Sequence, residues 1–416
     1  MSRHPLDGDA PGGQPAHAGA LLHGRGDAGE VRTEAPLQSG SVAEAEQEGK
    51  IPHHRAEAGA ARLSPPKMRL RKLSKALRDA HPGSGVARRV RHFDGWLYRA
   101  APEAEGAGAY DHTETVRDYY ELCNGFMVYG WGESLHFAPL TPQESLEESK
   151  VRHQRAMISK LELKRGMKVV DVGCGVGGPM RRVVREAGVR AVGININEIQ
   201  LAEAKKLNAE AGLEHLTDFR KCSFEDMSAI EGDSFDGGYA IESTCHAQDK
   251  QGAFAEIFRV LKPGALFWGQ EMCLTDRFDP RDRRHRTIKR DLMRGIALHD
   301  IATFGEVNRA LEGAGFQVIE GSDWDVREGP STPWYQPMES RHGTLGTAVR
   351  RLPWGRKAFI AGSKLAELLR LFPKGSAEVV RLLDRTAEAY VAGGKTGIFT
   401  PLYCFLARKP WQSTGC

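Results

Sequence analysis

Residues 168–178 read KVVDVGCGVGG, an apolar run that passes into glycines at 173, 175, 177 and 178. Few stretches restrict a fold more. Glycines spaced this way let a backbone turn tightly and approach a ligand without Cβ clashes, provided a strand leads in and a helix leads out. The flanks carry both patterns. From Val151 onward apolar runs alternate with helical periodicity, and strands are predicted at 168–173, 190–195, 216–222, 235–242, 265–271, 315–321 and 401–410. Strands divided by helices in this rhythm predict an α/β fold, a parallel sheet with helices on both faces. Before the last strand comes an insertion with PWY at 333–335, LPWG at 352–355 and a predicted helix near 358–371.

Two kinds of ligand suit such a loop. A dinucleotide would set its pyrophosphate on the helix N-terminus and ask for an acidic residue at the end of the second strand. S-adenosylmethionine has no phosphate; its amino-acid end lies over the glycines, where Asp171 can help orient the ammonium. The second strand ends in Asn195 rather than an acid. An asparagine can still hydrogen-bond a ribose diol through its carbonyl and amide. VVDVGCGVGG, FDGGYAIES and RVLKPGALF resemble, in that order, the motifs of class I S-adenosylmethionine-dependent methyltransferases, with Asp236 opening the fourth strand and LKPG turning into the fifth.

Residues 1–65 are rich in Gly, Ala, Pro, His and Glu and poor in large apolar side chains. Such a segment buries too little surface to offset its ordering entropy, so a disordered polar tail is expected. PPKMRLRKLSKALRDAHP follows, with Leu70, Leu73 and Leu77 at helical spacing among Lys and Arg. A basic amphipathic helix of this kind suits an anionic lipid surface, and residues 67–91 are the expected peripheral membrane contact. A solvated helix packed on the domain behind it would read the same. The net charge of +4 over 416 residues gives no reason to expect a nucleic-acid partner. The seven cysteines form no CxxC pair, so a reduced compartment and no metal site are expected. No window approaches a transmembrane span, and the first residues lack the apolar core of a signal peptide.

YGWGESLHFAP, residues 129–139, sets Tyr129, Trp131, His136, Phe137 and the carboxylate of Glu133 ahead of the glycine loop. Together with DVGCGVGGPMR, GININEIQ, AIESTCHAQD, the 278–289 run and the closing KTGIFTPLYCFLARKP, it resembles the sterol 24-C-methyltransferase family, in the family's order from Tyr110 to Pro410. The resemblance implies a Rossmann-like class I methyltransferase sheet. It also implies an N-terminal helical substrate segment and a C-terminal sterol-methyltransferase domain inserted before the last strand. The expected division is a polar tail at 1–65, a basic helix and substrate lid at 66–150, an S-adenosylmethionine-binding core at 151–321, and the C-terminal domain with the last core strand at 322–416.

The implied reaction moves the methyl of S-adenosylmethionine to C24 of a Δ24-sterol side chain. The implied place is the cytoplasmic face of the endoplasmic reticulum or a lipid droplet, with peripheral attachment and room for a homo-oligomer. An alkene attacks without being deprotonated, so no Ser, Cys or Lys triad is expected. The attack leaves a carbocation, which aromatic faces stabilise through their quadrupole. A hydride shift follows in this family, and a base must then remove a proton. Candidate catalytic residues are Tyr129, Glu133, His136, Glu242 and His246, the resemblance favouring Tyr129 and Glu242. Candidate sterol-facing residues are Trp131, Phe137, Trp268, Trp334 and Tyr335. Asp171, Gly173, Gly175, Gly177, Asn195, Gln200, Ser223 and Phe224 are the expected cofactor contacts.

Two positions depart from the family pattern. Leu135 stands where an aromatic is usual, and Ser223 stands where a carboxylate would accept the adenine amino hydrogens. Glu225 or Asp226 could substitute for that carboxylate. Two other functions use the same features: methylation of another lipid, such as a tocopherol precursor or a phospholipid, and an inactive lipid-binding relative. The YGWG segment combined with the C-terminal insertion favours the sterol.

Overall fold

All seven predicted strands form, and their order brings the glycine loop to the middle of the sheet. The computed structural model describes residues 112–326, 332–339 and 353–411; the tail at 1–65 and the basic stretch at 67–91 lie outside the described residues. The strands β1 (Lys168–Val172), β2 (Arg190–Asn195), β3 (Thr217–Lys221), β4 (Phe235–Ile241), β5 (Leu261–Leu274), β6 (Gln317–Asp323) and β7 (Phe399–Arg408) lie in the order β3-β2-β1-β4-β5-β7-β6. Neighbours pair in parallel, except that β7 runs antiparallel to both β5 and β6. Strand order reverses between β1 and β4. At such a switch point the loops beyond the strand C-termini part and leave a crevice.

Strands covered on both faces read as near-continuous apolar runs, and β1 is an example: Val169, Val170 and Val172 are fully buried. One face of the sheet carries Tyr239 and Trp268 into a large apolar cluster; the other packs Val170 and Phe267 against Phe254. The covering helices are α1 (His112–Trp131), α2 (Leu146–Lys160), α3 (Gly178–Ala187), α4 (Glu198–Glu210), α5 (Lys250–Val260), α6 (Arg283–Ile296), α7 (Phe304–Gly313), α8 (Pro353–Leu368) and α9 (Ser376–Thr396). Their starts follow from local chemistry. Ser145 with Glu148 and Thr303 with Glu306 form capping boxes on α2 and α7, and Asn197 caps α4.

Three details differ from the sequence expectation. β5 begins at Leu261, so the LKPG stretch is an irregular strand entrance, with a register shift opposite Phe235 and Gly237. The helix expected near 358–371 runs over Pro353–Leu368 and stops where Arg370 takes a left-handed φ of 57°. The long helix α9 was not anticipated, because Gly393 and Gly394 blunt its apolar pattern. Those glycines are packing sites: a Cβ at Gly394 would meet the Tyr335 ring at 2.1 Å. Val116, Tyr119 and Cys123 of α1 share an apolar cluster with Phe372 and with Val379, Val380 and Leu382 of α9. The helices α1 and α9 are thus neighbours. Among the described residues no helix is long and apolar enough to cross a membrane.

Candidate active site

The glycine loop after β1 holds three successive left-handed turns, with φ of 78° at Gly173, 52° at Gly175 and 76° at Gly177. Only glycine adopts these without strain. A Cβ on Gly173 would lie 2.4 Å from the Ser243 Cβ, whereas one on Gly175 would enter open space. That open space belongs to a cavity of about 820 Å³, counting its mouth, whose wall includes Gly173, Gly175, Asn195, Gln200, Ser223 and Phe224. Six of the expected cofactor contacts therefore meet at one place. Asn195 donates from Nδ2 to Gln200 Oε1 at 2.9 Å and accepts the Asn197 N–H at 2.9 Å, which fixes its amide at the end of β2. Gln200 is held in turn by donating to Asn124 Oδ1. Ser223 accepts the Glu225 N–H, and Glu225 itself reaches the cavity wall, its carboxylate accepting the N–H groups of Gln248 and Asp249.

Two expected contacts have other work. Asp171 is not at the cavity wall; it accepts a 2.9 Å hydrogen bond from the Tyr239 hydroxyl, and burial pushes its carboxyl up to about 7. Gly177 caps α3, with its Cα against Arg181 and Asn208.

A second cavity, about 1130 Å³ with its mouth, opens beside the first. Its aromatic wall comes from Tyr119 and Tyr120 of α1, Trp131, Phe137 and Tyr390 of α9. Tyr120, Leu135 and Glu242 line both cavities. Glu242 follows β4 with a φ of 53°, a left-handed conformation that side-chain-bearing residues seldom hold except at functional positions. Its Oε1 accepts the Phe137 N–H at 2.6 Å and Gln270 Nε2 at 2.7 Å. Burial raises its carboxyl well above the usual carboxylate range, and the Phe137 N–H offsets part of that rise.

Tyr120 and His246 form the other polar feature at this junction, with the hydroxyl 3.0 Å from Nε2. His246 Nδ1 lies 3.3 Å from the Ala297 carbonyl, which can only accept. The proton therefore sits on Nδ1, and Nε2 accepts from Tyr120. Burial holds the Tyr120 phenol well above its ordinary value, so it stays un-ionised.

The segment expected to carry the chemistry is held against the glycine loop. The buried Lys150 donates to the Trp131 and Ser134 carbonyls at 2.7 and 3.1 Å, fixing the exit from α1. A Cβ at Gly178 would lie 2.4 Å from the Glu133 carbonyl oxygen, so this backbone rests directly on the start of α3. Glu133 is turned away from both cavities and pairs at 2.6 Å with Arg181 at a half-exposed position, which removes it as a candidate base. His136 reaches the aromatic chamber as a poor base. Its Nδ1 donates to the Phe137 carbonyl, its Nε2 accepts from Gln154, and burial with His153 nearby lowers its pKa to about 3.

Trp131 donates from Nε1 to the His136 carbonyl at 3.0 Å, and its ring meets Phe137 edge-on at 5.2 Å. Trp268 is fully buried between His153 and Trp324 and does not reach the chamber. Trp334 and Tyr335 stand one layer behind, Trp334 backing Phe137 and Tyr390. Tyr129 lies in α1, and its side chain falls outside the described residues. The chamber residues that the sequence reading missed include Tyr119, Tyr120, Met127 and Tyr390.

This arrangement can hold a nucleoside-type cofactor beside a long apolar ligand, with one carboxyl and one phenol–imidazole pair where they meet. The chain matches the family described as methyltransferase domain over residues 170–269 and the family described as sterol methyltransferase C-terminal over residues 346–411. It is similar to the cycloartenol-C-24-methyltransferase of Arabidopsis thaliana, with 43% identity over 302 residues, 72% of this chain and 88% of that protein. Sterol 24-C-methyltransferase ERG6 of Saccharomyces cerevisiae is 36% identical over 331 residues, 78% of this chain and 85% of its own length. Among solved structures, the cyclopropane synthase MmaA2 from Mycobacterium tuberculosis aligns with a TM-score of 0.56 at 18% identity, over 73% of this chain and all of that one. Geranyl diphosphate C-methyltransferase from Streptomyces coelicolor, solved with S-adenosyl-L-homocysteine, aligns with a TM-score of 0.52 at 17% identity, over 73% of this chain and 99% of that one. The two solved structures share the fold.

Proposed function

This chain belongs to the sterol 24-C-methyltransferase family and is an S-adenosylmethionine-dependent enzyme of sterol biosynthesis, and from that premise we propose how its residues divide the reaction. The observation that carries the reading is the wall common to both cavities: Tyr120, Leu135 and Glu242 line the glycine-loop cavity and the aromatic chamber alike.

When bound, S-adenosylmethionine supplies a methyl group made electrophilic by its sulfonium. Gly173 and Gly175 would hold the amino-acid end, Asn195 and Gln200 the ribose hydroxyls, and Ser223 with Glu225 the adenine amino group. The Δ24 side chain of the sterol enters the aromatic chamber and its alkene carbon takes the methyl. The cation left on the side chain faces Tyr120, Phe137 and Tyr390, each worth very roughly 2 kcal/mol when water is excluded. Burial shifts Glu242 toward its neutral form, and a cationic ligand beside it favours the ionised form. In that form it is a counter-ion for the sterol cation. The last proton passes to the Tyr120 oxygen as the phenol gives its own proton to His246 Nε2, so the product leaves as a neutral alkene.

Within the same reading, residues 112–150 close the sterol site, 151–321 bind the cofactor, and α9 completes the chamber. Attachment is peripheral, at the cytoplasmic face of the endoplasmic reticulum or a lipid droplet. The test incubates the protein with methyl-labelled S-adenosylmethionine and a panel of Δ24-sterols, with products identified by mass. A sterol heavier by one methylene unit at C24 is expected. Label found only in a lipid without a sterol skeleton would overturn the assignment.

A further inference from the structure

Four of the six large hydrophobic side chains that stand exposed among the described residues fall within one seven-residue run. They are Leu365, Leu368, Leu369 and Leu371, exposed by 55, 79, 60 and 48%. The first three lie at i, i+3 and i+4, on one face of the last turn of α8 and the residue after it, where the Leu369 N–H still donates to the Leu365 carbonyl at 2.9 Å. The left-handed turn at Arg370 then brings Leu371 beside them, with its N–H donating to the Ala366 carbonyl at 2.8 Å. Scattered exposed leucines need no explanation, but a contiguous set marks a surface that something covers.

The exposed charged side chains described on α8 and the turn after it are all basic. Lys357, Lys364, Arg370 and Lys374 are exposed on the same helix and the turn after it. The one acidic residue in the stretch, Glu367, is occupied in accepting the Ala377 N–H at 2.6 Å, which ties down the start of α9. Exposed leucines on a segment that also exposes lysine and arginine match an anionic lipid surface, with leucines entering the acyl boundary and cations at the headgroups. A second protein copy fits less well, because lysine is depleted at protein–protein interfaces and aromatic anchors are enriched.

The patch also adjoins the substrate chamber. Phe372, one residue beyond it, is buried in the same apolar cluster as Tyr119, and Tyr119 lines the chamber. We propose that the α8 tip, Leu365 to Leu371 with its flanking lysines, is a docking surface for an anionic bilayer, seating the chamber next to the lipid that holds its substrate. This segment is a different part of the sequence from the basic stretch at 67–91, which lies outside the described residues. Only the link to substrate delivery rests on the sterol reading.

The test uses the full chain in vesicle flotation with phosphatidylcholine alone and with added phosphatidylserine. The parent is expected to float with the anionic vesicles. Leu368→Asp combined with Leu369→Asp is expected to lose that binding at least about tenfold, since two apolar contacts are replaced by charges that repel the surface. Both positions are exposed, so the variant's thermal unfolding should match the parent's. A Lys364→Glu, Lys374→Glu variant is expected to lose the preference for phosphatidylserine. Methylation of sterol presented in cyclodextrin should survive in the leucine variant while methylation of vesicle-borne sterol falls. Unchanged flotation of the leucine variant would overturn the proposal, as would sedimentation showing that it splits an oligomer instead. A parent that floats yet methylates no sterol would sink the substrate reading and leave the docking surface standing.

Discussion

The backbone N–H of Phe137 donates to Glu242 Oε1 at 2.6 Å, joining the segment ahead of the glycine loop to the end of β4. Gln270 holds the same oxygen at 2.7 Å. One carboxyl oxygen is therefore fixed by two donors, and the side chain has a set position at the junction of the two cavities.

Glu242→Gln keeps an oxygen for both donors and removes the ability to ionise. Turnover is expected to fall about 100- to 1000-fold, the usual effect of losing one preorganised charge at a reacting centre. Burial raises the Glu242 carboxyl well above the usual carboxylate range and a cationic ligand beside it pulls it back down, so binding such a ligand should release a proton. Calorimetry in two buffers of different ionisation enthalpy reads that release. The parent should give buffer-dependent heats and Glu242→Gln should not; equal behaviour of the two would mean that Glu242 is not the group that ionises.

Tyr120 offers two separable properties, a ring and a hydroxyl. Tyr120→Phe keeps the ring and breaks the bond to His246 Nε2. If the hydroxyl carries the final proton, turnover falls by about 100-fold, within the range of general acid–base effects. Tyr120→Leu removes the π face as well and should lose about a further 30-fold, matching the roughly 2 kcal/mol of a desolvated cation–π contact. Measured kcat values for the two variants decide this. A phenylalanine variant as active as the parent would rule out the relay through His246.

The strands and the cofactor loop were legible because their signals are local. A fully buried parallel strand is a short apolar run, and a glycine forced to positive φ is visible wherever its neighbours demand one. The aromatic chamber was half legible. Val116, Tyr120, Met127 and Trp131 recur on one face of α1, a pattern that could have exposed the two tyrosines. Tyr390 gave no such sign, because its partner Phe137 comes within 5.0 Å only after α9 packs against the sheet. Glu133 looked like a base until Arg181 of α3 was found 2.6 Å away. His136 failed for a related reason: burial strips an imidazole of basicity, and burial at a single position cannot be read from residue type. Trp268 looked like a ligand wall because aromatic strand residues serve either face of a sheet.

Ser223 gives the adenine end of the cofactor cavity a hydroxyl where a carboxylate would bind an amino group more strongly. Its Oγ now accepts the Glu225 N–H at 3.1 Å, and an aspartate can form that same local turn. Ser223→Asp is expected to tighten S-adenosylmethionine binding by about 1 kcal/mol, near fivefold, by calorimetry. No gain in affinity would mean that Glu225, already on the cavity wall, supplies the acceptor by itself.

Asp171 carries a stability signature with a definite sign. Burial raises its carboxyl from an ordinary 3.8 to about 7, more than the Tyr239 hydrogen bond lowers it. Between those values the folded protein holds a proton that the unfolded chain has lost, so this group favours folding at low pH. Its contribution is complete below about pH 4 and disappears as pH rises toward 7. Asp171→Asn can still accept from the Tyr239 hydroxyl and never ionises. Relative to the parent, the variant should therefore gain stability steadily from about pH 4 to pH 7, by up to about 4 kcal/mol, and level off above. Urea unfolding of both proteins across that range, without cofactor, measures the difference. All other titrating groups cancel in that difference, so parallel curves would place Asp171 in a far wetter setting than the one beneath the glycine loop.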